Sequence, residues 1–97
     1  MHATRILLVE DDEDDYILAL DYLEELTFLN IEHVRVKNAE HALKKLKSEH
    51  FDLCLLDYQL GAVNGIEVLR QAKALGVSAP IIMLTGKADD ALDNSAL

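Results

Sequence analysis

The sequence predicts an α/β fold built on an open, doubly wound sheet of parallel strands. Short apolar runs alternate strictly with longer segments of helical periodicity, and the loops between them are short. This order is typical of parallel strands joined by right-handed helical crossovers. Three of the four apolar runs are nearly continuous, as expected for strands covered on both faces, whereas the second run alternates between apolar and polar residues. The strand order 2-1-3-4 accounts for a second strand at the sheet edge.

The predicted strands are short and rich in aliphatic and branched residues. In the second strand Val34 and Val36 lie on one face, and His33 and Arg35 lie on the other. Pro80 opens the fourth strand, where the missing N–H group is tolerated. The four strands are expected at Arg5–Val9, Ile31–Val36, Leu53–Leu56 and Ile81–Leu84.

Three helices are predicted between these strands, because apolar residues recur at spacings of three or four. Asn38 and Asn64 are expected to cap the starts of the second and third helices, and Gly76 is expected to end the third. In the first helix the apolar stripe consists of Ile17, Leu20, Leu23 and Leu26. The helices are expected at Asp14–Leu26, Ala39–Lys47 and Gly65–Leu75, and the start of a fourth at Ala88–Leu97.

Length and composition restrict the class of protein. A chain of 97 residues suits one domain. Nine basic and eighteen acidic residues give a net charge of −9, which argues against nucleic-acid binding and favours cations or basic partners. No apolar stretch approaches the about 20 residues of a membrane span, and no signal peptide is recognisable. The single cysteine, Cys54, is expected to be a buried, inert thiol of a cytoplasmic protein.

Carboxylates follow two strands that the predicted order makes neighbours. Glu10 and Asp11 follow the first strand, and Asp57 follows the third. Ligands of open α/β sheets bind at this switch point, beyond the carboxyl ends of the strands. Closely packed carboxylates repel each other unless a cation intervenes, and Mg²⁺ prefers oxygen ligands. Asp57 then becomes a candidate nucleophile toward a phosphoryl group, and Thr85, at the end of the fourth strand, can offer its hydroxyl to a phosphoryl oxygen.

Structural roles compete with these functional ones. Acidic residues are favoured at helix starts by capping and by the helix dipole, and this explanation is preferred for Asp12 to Asp15. It is weaker for Glu10 and Asp11, which directly follow a buried strand. A threonine such as Thr85 at a strand end is usually only a strand former.

Taken together, three segments resemble the receiver domains of two-component response regulators, which have the flavodoxin-like form of this fold. The segments are ILLVEDD (residues 6–12), LCLLDYQLGAVNGIEVLR (53–70) and PIIMLTG (80–86). The resemblance implies that Asp57 is the phosphoacceptor and that Glu10, Asp11, Asp57 and the backbone carbonyl of Gln59 surround Mg²⁺. It also implies that Thr85 is the switch hydroxyl and that Gly65 is the glycine that opens the third helix. The phosphodonor would be a sensor histidine kinase or a phosphotransfer protein.

The sequence departs from the family pattern in two places. Gly86 stands where the family commonly has alanine. The family's fifth strand, with a lysine that binds the phosphoryl group, and its fifth helix would lie beyond Leu97. We therefore expect residues 1–97 to be a single receiver domain truncated at its C-terminus, acting in signalling and not as an enzyme. Without the fifth strand, the fourth strand becomes an edge through which the chain could self-associate.

Three other functions fit parts of the sequence. A phosphatase of the haloacid dehalogenase type also uses an aspartate after a strand but needs a second aspartate two positions on, where this chain has Gln59. A nucleotide-binding domain is poorly supported, because Thr85-Gly86-Lys87 is only a fragment of a phosphate-binding loop. The third is a pseudo-receiver that binds partners without being phosphorylated, which the missing lysine would favour.

Overall fold

A computed structural model of the chain describes residues 3–84, so Thr85 and the predicted helix start at Ala88–Leu97 lie outside the described residues. In chain order the elements are β1 (Thr4–Val9), α1 (Glu13–Glu24), β2 (Ile31–Val36), α2 (Ala39–Ser48), β3 (Leu53–Asp57), β4 (Gln59–Leu60), β5 (Val63–Asn64), α3 (Gly65–Ala74) and β6 (Ile81–Leu84). The main sheet has the order β2-β1-β3-β6, and all its pairs are parallel. Strand β6 is the predicted fourth strand, so the predicted fold class and the strand order 2-1-3-4 are confirmed.

Strand β1 lies inside the sheet and is covered on both faces. Ile6, Leu7, Leu8 and Val9 are each at most 2% exposed, as a continuous apolar run predicts. Val9 is in register with Val36 of β2 and with Leu56 of β3. The carboxyl ends of these three strands therefore lie side by side.

The main core lies between the sheet and helices α2 and α3. It joins apolar side chains from the strands to Ala42 and Leu46 of α2 and to Val68 and Ala72 of α3. Cys54 belongs to this core, and burial raises the pKa of its thiol to about 12. The predicted burial of Cys54 is confirmed, and the raised pKa keeps the reactive thiolate scarce at neutral pH.

Helix α1 is covered less completely than its sequence pattern predicts. Ala19 is buried and Leu20 and Leu23 are half-buried, but Ile17 is 52% exposed. Successive steps of three residues fall about 60° short of a full turn, so a stripe spaced only by threes drifts around the helix. Including Ile17 in the packed stripe was wrong. Including Leu26 was also wrong, because α1 ends at Glu24 and Leu26 is 36% exposed.

The predicted helix caps are confirmed. The Asn38 side chain accepts a hydrogen bond from the His41 backbone N–H, and the Asn64 side chain accepts one from Ile66. Gly76 has a φ of 79° and follows α3, and its N–H donates to the carbonyl of Lys73. This left-handed ending of a helix favours glycine.

Residues 3–84 include one strand pair that was not predicted and a partly exposed last strand of the main sheet. The antiparallel pair β4 and β5, joined through Gly61 at a φ of 60°, was not predicted. Strand β6 is the last strand of the main sheet within residues 3–84, and Ile82 on it is 51% exposed. Self-association through this strand stays a prediction.

Candidate metal centre

Three carboxylates meet at the carboxyl ends of β1 and β3. Glu10 directly follows β1, and Asp57 is the last residue of β3. Both are buried, whereas Asp11 is exposed. One side-chain oxygen from each of the three lies within 4.8 Å of the other two. Among residues 3–84 this is the one cluster of three or more potential metal ligands, and it consists of the three carboxylates that the sequence predicted.

The backbone holds both acidic loops against neighbouring strands. The Glu10 N–H donates to the carbonyl of Val36 at 3.0 Å, and the Tyr58 N–H donates to Leu84 at 2.9 Å. The Tyr58 carbonyl in turn accepts from the Gly65 N–H at 2.6 Å. The chain on either side of the candidate site is therefore fixed by the sheet and by the start of α3.

Asp12 has the structural role that its position predicts. Its side chain caps α1 by accepting a hydrogen bond from the Asp15 N–H at 3.2 Å. Its own N–H donates to a carboxylate oxygen of Glu10, also at 3.2 Å. The start of α1 thus orients the buried member of the acidic pair.

Burial and mutual repulsion make the two buried carboxyls hold protons more tightly than usual. Burial raises the pKa of Glu10 to about 7, and the nearby Asp57 charge adds to the effect, while the hydrogen bond from the Asp12 N–H opposes it. Burial also raises the pKa of Asp57, and the charges of Asp11 and Asp15 contribute. Hydrogen bonds from Glu10 and from the Gln59 N–H act on Asp57 in the opposite direction. A bound cation would relieve this repulsion.

The donor set fits Mg²⁺. All three side chains offer oxygen, the ligand type that Mg²⁺ prefers. With Mg–O distances of about 2.0–2.1 Å, two oxygens on one ion lie about 3–4 Å apart. Separations of up to 4.8 Å therefore require only a small side-chain movement.

The stability of the fold should depend on pH through this cluster. An acid whose pKa is raised in the folded state loses fold stability as it ionises, so stability should fall as pH rises from 4.5 to about 7 through Glu10. Without metal we expect wild type to lose about 1–2 kcal/mol more than Glu10→Gln between about pH 5 and pH 8, after allowance for solvent screening. Urea unfolding with EDTA would measure this, and excess Mg²⁺ should remove most of the difference at the higher pH. Equal pH profiles for the two proteins would contradict the prediction.

Gln59 and Thr85 were also predicted to belong to the site. Gln59 lies on β4, and its side-chain amide donates to the Gly61 carbonyl at 2.8 Å. The assignment of its backbone carbonyl as a metal ligand stays a prediction. Thr85 lies outside the described residues. Its predicted role also stays a prediction.

The sequence interpretation overlooked Arg35 and its neighbours Tyr16 and His33. The Tyr16 hydroxyl lies 3.1 Å from Nε2 of His33. Arg35 reaches the loop after β1. The available signal was the position of Arg35, one residue before the end of an edge strand next to β1.

An open parallel sheet with three carboxylates at its switch point defines the class of small doubly wound α/β domains with an acidic cluster at the carboxyl ends of the strands. The comparison with protein families is more specific. The family model for the response regulator receiver domain matches residues 6–97. The chain belongs to this family.

Individual relatives agree with this assignment. The chain is 36% identical over 84 residues to the alkaline phosphatase synthesis transcriptional regulatory protein PhoP of Bacillus subtilis, covering 87% of this chain and 34% of PhoP. It is 31% identical over 85 residues to the autoinducer 1 sensor kinase/phosphatase LuxN of Vibrio harveyi, covering 88% of this chain and 10% of LuxN. The chain thus spans about a third or less of these relatives.

Solved structures of receiver domains superpose on the chain. The MaeR response regulator bound to beryllium trifluoride has a TM-score of 0.76 at 29% identity, covering 96% of this chain and 75% of MaeR. The receiver domain of the sensor histidine kinase PA1611 from Pseudomonas aeruginosa has a TM-score of 0.75 at 27% identity, covering 90% and 70% of the two chains. That structure has a magnesium ion coordinated in its active-site cleft.

Within the described part of this chain, no helix is long and apolar enough to cross a membrane.

Proposed function

We propose that this chain is a phosphoacceptor receiver domain in which Asp57 takes a phosphoryl group in an Mg²⁺-dependent step. The observation that carries the proposal is the convergence of Glu10, Asp11 and Asp57 to within 4.8 Å at the ends of β1 and β3. The donor would be the phosphohistidine of a sensor kinase or phosphotransfer protein. Family membership supports this choice of donor, because relatives of the chain include both a transcriptional regulator and a sensor kinase.

The arrangement suits attack by Asp57 on phosphorus. A carboxylate oxygen of Asp57 forms a bond to phosphorus, the bond between phosphorus and the donor nitrogen breaks, and an acyl phosphate results. Glu10 and Asp11 would hold Mg²⁺, which neutralises charge on the transferred group when bound. A hydrogen bond from the Gln59 N–H lowers the pKa of Asp57 and so favours the ionised, nucleophilic carboxylate. We assign the metal-directed carbonyl to Gln59 and the phosphoryl-directed hydroxyl to Thr85.

Receiver domains are signalling domains, and we propose that turnover here is limited to self-phosphorylation and loss of the phosphoryl group from Asp57. We infer that residues 1–97 belong to one receiver domain and act in the cytoplasm. The partner surface would meet a kinase or phosphotransfer protein and not nucleic acid, since the net charge is −9.

Acetyl phosphate and Mg²⁺ provide a direct test on the chain as it exists. Intact mass should increase by one phosphoryl group, peptide mapping should place it on Asp57, and EDTA should prevent the increase. A folded chain that binds Mg²⁺ but gains no phosphoryl group would contradict the proposal and favour the alternative, a partner-binding pseudo-receiver.

A further inference from the structure

Arg35 reaches from the edge strand β2 to the loop that carries the acidic pair. Its Nε donates to the backbone carbonyl of Glu10 at 3.1 Å, and its Nη1 lies 2.9 Å from a carboxylate oxygen of Glu13. The side chain is only 13% exposed. One guanidinium group therefore connects the residue after β1 with the first turn of α1.

The guanidinium group also has a contact on a second side. Its central carbon lies 4.0 Å from the centroid of the Tyr16 ring, a distance typical of cation–π stacking. The Tyr16 hydroxyl is in turn 3.1 Å from Nε2 of His33, on the same strand as Arg35. Arg35 is thus held by stacking as well as by hydrogen bonds, which makes it a rigid support for the loop.

The position of the supported group connects Arg35 to the metal site. The Glu10 carbonyl belongs to the peptide unit that joins Glu10 to Asp11, so a hydrogen bond to it fixes the plane from which both side chains depart. We propose that Arg35 is a positioning residue that orients this acidic pair for Mg²⁺. The inference rests on the function proposed above and adds to it a residue that touches none of the reacting atoms.

A purely stabilising role explains Arg35 less well. Its Nη2 is buried and has no hydrogen-bond partner within residues 3–84, and an unpaired buried donor costs stability. Its ionic partner Glu13 is 66% exposed, and ion pairs of this kind contribute little. An apolar side chain would cover Tyr16 without the unpaired donor.

The positive charge of Arg35 and its support of the Glu10–Asp11 peptide have opposite effects on Mg²⁺ affinity, which allows a test. The positive charge of Arg35 near the acidic pair disfavours a cation, so removing the charge alone would strengthen Mg²⁺ binding. Loss of the support for the Glu10–Asp11 peptide would weaken it. Arg35→Lys keeps the charge but loses the rigid planar group, whereas Arg35→Gln loses both.

Calorimetric titration of each variant with Mg²⁺ alone measures the balance. We expect Arg35→Lys to bind Mg²⁺ about 10- to 100-fold more weakly than wild type, the usual effect of losing an outer partner of metal ligands. Arg35→Gln should be weakened less, because loss of the positive charge partly offsets loss of the support. Arg70→Gln is the matched control, because Arg70 is exposed and its ion pair within residues 3–84 is with Glu67, on the same helix. Its affinity should equal that of wild type. Unchanged affinity in Arg35→Lys, or tighter binding in Arg35→Gln, would overturn the proposal.

Two further measurements keep the result interpretable. Circular dichroism and thermal unfolding show whether each variant is folded, and Arg35→Lys decides the question alone if Arg35→Gln is not. Asp57→Asn, titrated in parallel, tests the metal site itself. If Asp57→Asn binds as wild type does, the proposed site is wrong; if it binds more weakly while Arg35→Lys does not, only the positioning role is wrong.

Discussion

Replacing Asp57 with asparagine is expected to abolish phosphoryl transfer to this chain and to weaken Mg²⁺ binding about tenfold, which corresponds to about 1.4 kcal/mol. The amide is nearly isosteric with the carboxylate, but it carries no charge for the metal and is a far weaker nucleophile. Glu10 and Asp11 remain in the variant and should keep residual Mg²⁺ affinity. Transfer should therefore fail even when Mg²⁺ is saturating.

The same substitution should not harm the fold. The raised pKa of Asp57 means that its ionised form is disfavoured in the folded chain, so removing the charge should leave metal-free stability unchanged or slightly higher. Asp21→Asn is the control, because Asp21 is an exposed aspartate on α1. It should behave as wild type. Intact mass after incubation with acetyl phosphate, combined with Mg²⁺ titration, measures both effects, and wild-type phosphorylation of Asp57→Asn would exclude Asp57 as the acceptor.

The sequence was sufficient to predict the main parallel sheet and the proximity of the Glu10, Asp11 and Asp57 carboxylates. Short continuous or alternating apolar runs identified the parallel strands, and the bounds of Ile31–Val36 and Ile81–Leu84 agree with the structure. Once the strand order was inferred, the placement of Glu10 beside Asp57 followed, because parallel neighbours end at the same edge of a sheet. The register of Val9 with Leu56 gives this inference its geometric basis.

Features that depend on tertiary contacts were not predictable in the same way. The pair β4 and β5 contains only two residues on each strand, too few to produce a recognisable alternation. The role of Arg35 depends on which backbone carbonyl its long side chain reaches, and spacing in the sequence does not determine that. The exposure of Ile17 depends on how α1 is rotated against the sheet.

Gly65 shows the same limit, since resemblance identified it but only the structure explains it. Its φ is not in the left-handed region, so backbone conformation does not require glycine. Glycine is required because neighbouring atoms leave no space for a Cβ. A Cβ at this position would lie 2.6 Å from the backbone oxygen of Asp57, 3.0 Å from the Met83 sulfur and 3.1 Å from the Tyr58 Cα. Two of these neighbours are backbone atoms at the candidate site, which cannot yield as a flexible side chain would.

Gly65→Ala is therefore expected to destabilise the fold by about 1–3 kcal/mol, the usual cost of inserting a methyl group into a packed site. The gain in helix propensity from alanine, at most about 1 kcal/mol, opposes this only in part. Relief of the clash must move the Asp57 backbone or the start of α3, so Mg²⁺ affinity should also fall, by about tenfold if the Asp57 carboxylate leaves its place.

Gly76→Ala is a control that separates the loss of fold stability from the loss of Mg²⁺ affinity. Gly76 has a φ of 79° in open space at the end of α3, so alanine there is strained by its backbone without a clash. That strain should cost about 1–2 kcal/mol and leave Mg²⁺ affinity unchanged. Urea unfolding and Mg²⁺ titration of both variants give the comparison. Loss of stability without loss of Mg²⁺ affinity in Gly65→Ala would mean that the loop after β3 adapts without moving Asp57. Unchanged stability in Gly65→Ala would contradict the prediction that a Cβ at this position clashes with the Asp57 carbonyl.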